Sequence, residues 1–462
     1  MKLTHENSIA YEHSMDHAVE FFSKAGSLFS KRGSFYGRAS EENALGLFQK
    51  VWIVDKEIAF KLFLWLRDCR GGAGNRSGAR EILHWLGDNA SEWVNHNIEW
   101  IPEVGRWDDL RVLWNTESQS VAAALWAYAI KNKNVLAAKW ADRNDYPLRK
   151  LFEMKIGDFR RTLAKIRKGH IVEFKMCTNQ WNQIIYKTVP SVAMARYTNA
   201  FNRHDAERFE IFKNKIKTGE EKVHADVLFP HDCVRTVYHG DSEIANAQFL
   251  ALPNYMEGTN EKIIVIADTS ASMNCVISGS IRAVDISQGM ALYCSEKIGS
   301  GPFYKKFIQF CSESKFTDWE QLSFSEAVRC VFDRAMGSTR IDKALGLILK
   351  AAKFFGLTQE QMPTTLLIVS DMQFSQGVAS ENNTEVEVML KRFKNAGYIP
   401  PKIVYWNTAG YLGEPAIASM KNVGMISGFS PGVLKAVFSG KDFSPKGIML
   451  RALEKYKIVV PE

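Results

Sequence analysis

The chain has 462 residues, of which 46% are hydrophobic and 24% charged, with a formal net charge of +8. This profile excludes a disordered or collagen-like chain, and the length exceeds one ordinary core, so two domains or more are expected. The charge permits a nucleic-acid partner without requiring one. In chain order, the opening stretch MKLTHENSIAYEH is polar and lacks the apolar run of a secretory leader. The longest apolar runs, such as Val121 to Ile130, are about half of the ~20 residues a membrane helix needs. A cytoplasmic protein with no membrane partner is expected.

From about Met15 to Phe212 the sequence reads as helix after helix, as in NALGLFQKVWIVDKEIAFKLFLWLRDC and SVAAALWAYAIKNKNVLAAKWAD. Apolar residues recur at three- and four-residue steps, with no sustained alternation. The breaks are short: Gly71-Gly72, Gly105, Tyr146-Pro147 and Val189-Pro190. Such a pattern predicts antiparallel helices in a bundle or a stacked array, over residues 1–253. Tryptophans at 85, 93, 100, 107 and 114 fall about seven apart, but Pro102 and Gly105 interrupt any coiled-coil seam, so packing from several helices is expected.

Two stretches of this half are unusual. Leu66 to Glu81, LRDCRGGAGNRSGARE, sets three glycines within four residues, Gly71 to Gly74, among Arg67, Arg70, Arg76 and Arg80. It reads either as a backbone cradle for a phosphate or as a tight interhelix loop with solvated arginines. The order does not fit a nucleotide P-loop. Lys131 to Pro190 carries 14 Lys/Arg against 5 Asp/Glu, with Arg160, Arg161, Lys165, Arg167 and Lys168 close together. Arg161, Lys165 and Lys168 share a helical face. The run is either a solvated face or a stripe that tracks a phosphate backbone.

Near Asn254 the pattern changes to strands alternating with helices. KIIVIAD, FYKKFIQFC, TTLLIVSD, KIVYWN and VGMISG read as strands, separated by helical runs such as AVDISQGMALYCSEKIG and IDKALGLILKAAKFF. KIIVIAD and TTLLIVSD are apolar on both faces, as central parallel strands are. Residues 254–462 are therefore predicted to form a doubly wound α/β domain, whose ligands sit at the carboxyl ends of the strands.

Those ends carry oxygen-bearing side chains. Asp268, Ser270 and Ser272 follow the first central strand, Ser338 and Thr339 precede a helix, and Asp371 ends another strand. The bland reading is a capped turn. The alternative is one edge of a cage for a hard divalent ion, because the set is all oxygen and hydroxyls are small enough for octahedral geometry. This D-x-S-x-S, Thr, Asp order resembles the metal-ion-dependent adhesion site of von Willebrand factor A (vWA) domains, over roughly Asn254 to Glu462. The resemblance implies Mg²⁺ or Mn²⁺ bound directly by Ser270 and Ser272. It implies that Thr339 binds directly or through water, and that Asp268 and Asp371 hold waters or bind directly. The family commonly has Gly-Gly-Thr and Asp-Gly, where this chain has Gly337-Ser338-Thr339 and Asp371-Met372.

The phrases RDCRGGAGNR, VGRWDDLRVLW, IVEFKM, VPSVAMARY and LFPHDCV resemble an uncharacterised family that places a helical region before a vWA domain. Its plan is similar to that of the TROVE module proteins, the Ro ribonucleoproteins. That likeness implies HEAT-like helical repeats that bind small noncoding or structured RNA. No contact residue is carried over from that likeness; the candidate nucleic-acid contacts, Arg67, Arg70, Arg76, Arg160, Arg161, Lys165, Arg167 and Lys168, come from the basic stretches above. The seven cysteines are scattered with no C-x-x-C pair, so neither a disulfide framework nor structural zinc is expected. No H-E-x-x-H or G-x-S-x-G motif occurs, and no catalytic residue is assigned. The expected function is RNA binding. The alternative is a protein–protein adaptor that captures a partner carboxylate through the ion.

Overall fold

The computed structural model describes residues 2–3, 9–11, 13–28, 43–225, 227–278, 281–301, 303–310, 313–332, 340–374, 384–409, 415–440 and 442–462. A helical amino-terminal region precedes an α/β region built on a mixed, mostly parallel sheet. The sheet has six strands: β1 (Ile263–Asp268), β2 (Lys306–Phe310), β3 (Ser314–Asp318), β4 (Thr365–Ser370), β5 (Lys402–Asn407) and β6 (Val423–Ser427). Their order is β6-β5-β4-β1-β2-β3. All neighbours are parallel except β2 and β3, which pair antiparallel with Lys306 opposite Asp318. β1 and β4 are buried along their whole length, which is why their sequences do not alternate.

The helices that frame the sheet and the basic stretches are α1 (His17–Lys24), α2 (Lys56–Arg67), α3 (Arg76–Asn89), α4 (Ile156–Arg167), α5 (Pro230–His239), α6 (Ala283–Lys297) and α7 (Ile341–Phe355). The first three begin at side-chain caps: Asp16 accepts from the Ala18 and Val19 amides, Asp55 from Ile58 and Asn75 from Gly78. α5 lies close against α6 because Gly289 has no side chain. A Cβ there would stand 2.8 Å from the His231 amide nitrogen.

The change of character near Asn254 marks where the six-stranded sheet begins, after a short Lys2–Leu3 and Ile9–Ala10 pair at the start of the chain, and the main hydrophobic core runs straight through it. One cluster joins Val19 of α1, Phe60 of α2 and Val234 of α5 to Ile266, Ile368 and Ile426 of the sheet. A smaller second cluster, around Tyr186, Phe201, Phe209 and Ile244, holds part of the helical region. α1 covers the β6 edge. The Gly26 amide donates to Ser427 Oγ (3.0 Å), and that hydroxyl donates to the Phe22 carbonyl (2.8 Å). The carboxyl-terminal residues return to the helices. Asn97 exchanges two 2.8 Å hydrogen bonds with the Val459 backbone, and Asp68 accepts from Lys455 and from Tyr456 Oη.

The spaced tryptophans form no seam. Trp85 and Trp93 pack on Trp52, Trp100 on Tyr456 and Trp114 on Trp126. Among the described residues no helix is long and apolar enough to cross a membrane.

Candidate functional site

The chain leaves β1 toward β2 on one side and re-enters at β4 on the other. The crevice outside the carboxyl ends of β1 and β4 is therefore a topological switch point, where open parallel sheets bind ligands. Ala267 pairs with Val369, so the two strands end level. Asp268 stands beside Ser370, and Asp371 follows one residue on.

At this edge Asp268 and Asp371 are fully buried. Asp268 is fixed on both oxygens: Oδ1 accepts from the Ser270 amide (2.9 Å) and Oδ2 from Ser370 Oγ (2.6 Å). Ser270 Oγ and Ser272 Oγ lie 3.1 Å apart, the first buried and the second half-exposed. Asp371 Oδ1 accepts from the Gln373 amide (3.1 Å). Between them Met372 takes a left-handed φ of +63°, with its amide held by Ser370 Oγ (3.1 Å). A non-glycine residue in that conformation costs about 1 kcal/mol. It occupies the position where the resemblance leads one to expect glycine.

The structure thus brings Asp268, Ser270, Ser272 and Asp371 to one edge. Thr339 lies outside the described residues. It directly precedes Arg340, whose guanidinium forms two 2.8 Å bonds to Asp342 at the start of α7. Among the described residues no group of three His, Cys, Asp or Glu side chains is placed to hold a metal ion. The donors here are two carboxylates and two hydroxyls, a set that fits a hard cation such as Mg²⁺ or Mn²⁺ and not a soft one. Ser370 is the member that sequence reading overlooked. Its role depends on the lateral pairing of β1 with β4, although it sits next to Asp371 in the string IVSD.

Four amides of the glycine-rich stretch are already taken within the chain. The amides of Arg70 and Gly71 are taken by Asp68 Oδ1, that of Ala73 by the Trp65 carbonyl and that of Asn75 by Leu66. Asn75 caps α3 and also donates to the Leu28 carbonyl (2.7 Å). Glycines on the segment after β6, Gly428 and Gly432, permit close backbone contact with this loop. The Phe429 amide donates to the Ala73 carbonyl (3.0 Å), and a Cβ on Gly432 would lie 2.4 Å from the Arg70 carbonyl.

Of the arginines there, Arg67, Arg76 and Arg80 are ion-paired and Arg70 is exposed. Arg67 is 5% exposed and bound to Asp109 (2.7 Å), so it is an interior ion pair and not a nucleic-acid contact. Burial pushes the Asp109 carboxyl up, but the Arg67 and Arg80 guanidiniums outweigh it and hold it below the ordinary range. Arg76 and Arg80 both bind Asp108, at 2.6 and 2.8 Å. Arg70 reaches the Glu103 carbonyl (3.2 Å).

α4 differs. Arg160, Arg161, Lys165 and Lys168 are exposed, whereas Phe159 and Leu163 turn inward. Arg161 binds Asp158 on its own helix, and Arg167, half-buried, donates to the Leu163 carbonyl. Arg160, Lys165 and Lys168 make no ion pair among the described residues. Phe152 packs on Phe159 (5.2 Å), and Lys131 Nζ lies 5.5 Å over the Phe152 ring, which brings Lys131 beside α4. Tyr128, 69% exposed, is one helical turn before Lys131. The string WAYAIK gave no signal for Tyr128, because a tyrosine in an apolar run reads as core.

Two sequence profiles match the chain: a domain of unknown function (DUF2828) over residues 118–268 and another (DUF7788) over residues 262–455. The uncharacterized protein L728 of Acanthamoeba polyphaga mimivirus is 26% identical over 477 residues, covering 89% of this chain and 82% of its own. Among solved structures, the Ro (RSR) protein of Deinococcus radiodurans is similar with a TM-score of 0.48 and 13% identity, covering 96% of this chain and 100% of that one.

Proposed function

We propose that this chain is an RNA-binding protein. Its helical half, of HEAT-like repeats, takes up small noncoding or structured RNA, and its α/β half is a vWA-type module for Mg²⁺ or Mn²⁺. The observation that carries the RNA reading is the outer face of α4, where Arg160, Lys165 and Lys168 stand exposed without ion pairs among the described residues. Such cations neutralise phosphates and release counterions, and the exposed ring of Tyr128 near Lys131 suits stacking by an unpaired base. In the α/β half, Ser270 and Ser272 would hold the ion, with Asp268 and Asp371 behind them. When bound, the ion supplies an electrophilic position for a carboxylate or phosphate oxygen. Ser370 keeps Asp268 in one orientation. The chain is read as a cytoplasmic binding protein and not as an enzyme.

Ultraviolet crosslinking of the intact protein to co-purified RNA, with mass spectrometry of the crosslinked peptides, tests this. Crosslinks are expected within residues 128–168. Their absence there would overturn the interface. A second reading is favoured by the half-exposed Ser272 hydroxyl at the rim of two buried carboxylates. In it, the site captures an acidic side chain of a protein partner, and chelator-sensitive capture without any RNA would select it.

A further inference from the structure

We infer that the open groove between the edge strand β3 and helix α7 docks an acidic segment of another protein that carries apolar anchor residues. The groove has a volume of about 670 Å³ and is formed by Phe316 of β3 with Leu347, Ala351, Phe354 and Phe355 of α7. Phe354 is 83% exposed, Phe355 71% and Phe316 45%. Contiguous apolar surface of this kind on a folded protein marks an interaction site.

Charge selects the occupant. The remaining lining residues are Lys350 and Lys353, both exposed and without an ion pair among the described residues. The same helix treats its other cations differently: Arg340 is clamped by Asp342, and Lys343 binds Glu313 (2.9 Å). Positive charge is thus neutralised at the start of α7 and left uncompensated at the groove. An acidic partner completes it, whereas a second copy of this chain would set lysines against lysines. Phe354 and Phe355 stand edge to face, with centroids 5.0 Å apart at 89°. That notch receives a side chain better than it stacks parallel bases. β3 is also the last strand of the sheet among the described residues.

The groove is remote from the cation site along α7. The helix ends in a left-handed cap at Gly356, and the Glu360 carbonyl just beyond accepts from Lys262, next to the start of β1. Docking here is independent of the ion and of α4.

The test is selection from a displayed library of random peptides of about a dozen residues on the full-length chain. Binding of the enriched peptide is then measured by fluorescence polarisation. The enriched sequences should combine Asp or Glu with Phe, Leu or Trp. Both Lys350→Glu/Lys353→Glu and Phe354→Ser/Phe355→Ser should weaken the synthetic peptide at least about tenfold. Both pairs are exposed, and circular dichroism should confirm unchanged helix content. Enrichment of basic or charge-neutral peptides, no enrichment, or binding to either variant as tight as to the wild type would overturn the proposal. So would displacement of the peptide by oligouridylate, or dimerisation of the wild type that the Phe354→Ser/Phe355→Ser chain lacks.

Discussion

Asp268 is held by two hydrogen bonds from its surroundings, so its carboxylate is oriented before any ion arrives. Asp268→Asn keeps the shape and removes the charge. Manganese titration by electron paramagnetic resonance should then show at least about a tenfold loss of affinity, with thermal stability little changed; unaltered affinity would refute the site. His231 makes a separate prediction. Its ring is enclosed, near Phe229 and Phe429, and Nδ1 has no hydrogen-bond partner among the described residues. Burial lowers its pKa, with Asp232 and Asp285 opposing and Arg235 assisting. The folded state therefore favours the neutral ring. That stability is complete above the unfolded value of about 6.5 and is lost as pH falls from there through the folded value. Melting temperatures measured against pH should decline below about 6.5, and His231→Phe should remove that limb while leaving the loss at lower pH that Asp109 and Asp68 produce. Superimposable curves would contradict it. At this scale Asp268, Ser270, Ser272 and Asp371 were legible because each follows an apolar strand in the local string. Arg67 was not, because its partner Asp109 is far along the chain and its burial is a tertiary fact.

Among the elements, the glycine-rich loop is the clearest case of one pattern serving another purpose. Consecutive glycines satisfy a phosphate cradle and a backbone crossing equally well in sequence. The partner that decides between them, Ser427 to Gly432, lies at the far end of the chain. Gly428 sits at φ +106°, and a Cβ there would be 2.7 Å from Ala73 Cα. Gly428→Ala should lower stability in urea by about 1–3 kcal/mol, and an unchanged midpoint would argue against the crossing as a stabilising contact. The parallel strands and their helices were readable from continuous apolar runs. β3 was not: SKFTD is short and mostly polar, as an edge strand is, and nothing local separates it from a loop. The basic helix α4 was legible as a stripe, and the structure separates Arg160, Lys165 and Lys168, without ion pairs among the described residues, from the paired Arg161 and the half-buried Arg167.

For the whole molecule, the change at Asn254 marks where the six-stranded sheet begins, and the packed core unites it with the preceding helices. α1 and the glycine-rich loop cover the β6 edge, while the carboxyl-terminal residues bind Asp68 and Asn97. Contacts between residues some four hundred positions apart leave no local trace, so this union was not legible. Residues 254–462 alone should consequently unfold without a sharp cooperative transition in urea, because their covering surface is missing; a sharp transition would show that the α/β half is self-sufficient. The proposed division of labour gives the helices the RNA and the strand ends the ion. A filter-binding titration of a single-stranded RNA at increasing salt, comparing the intact protein with the Arg160→Glu/Arg161→Glu/Lys165→Glu/Lys168→Glu chain, tests this most directly. Each phosphate neutralised contributes a slope of about −0.7 in log affinity against log salt. The intact protein should bind with a steep slope, and the charge-reversed chain should bind more weakly with a slope shallower by up to about 2.8. Equal affinity and slope for the two chains, or no RNA binding by the intact protein, would contradict the account.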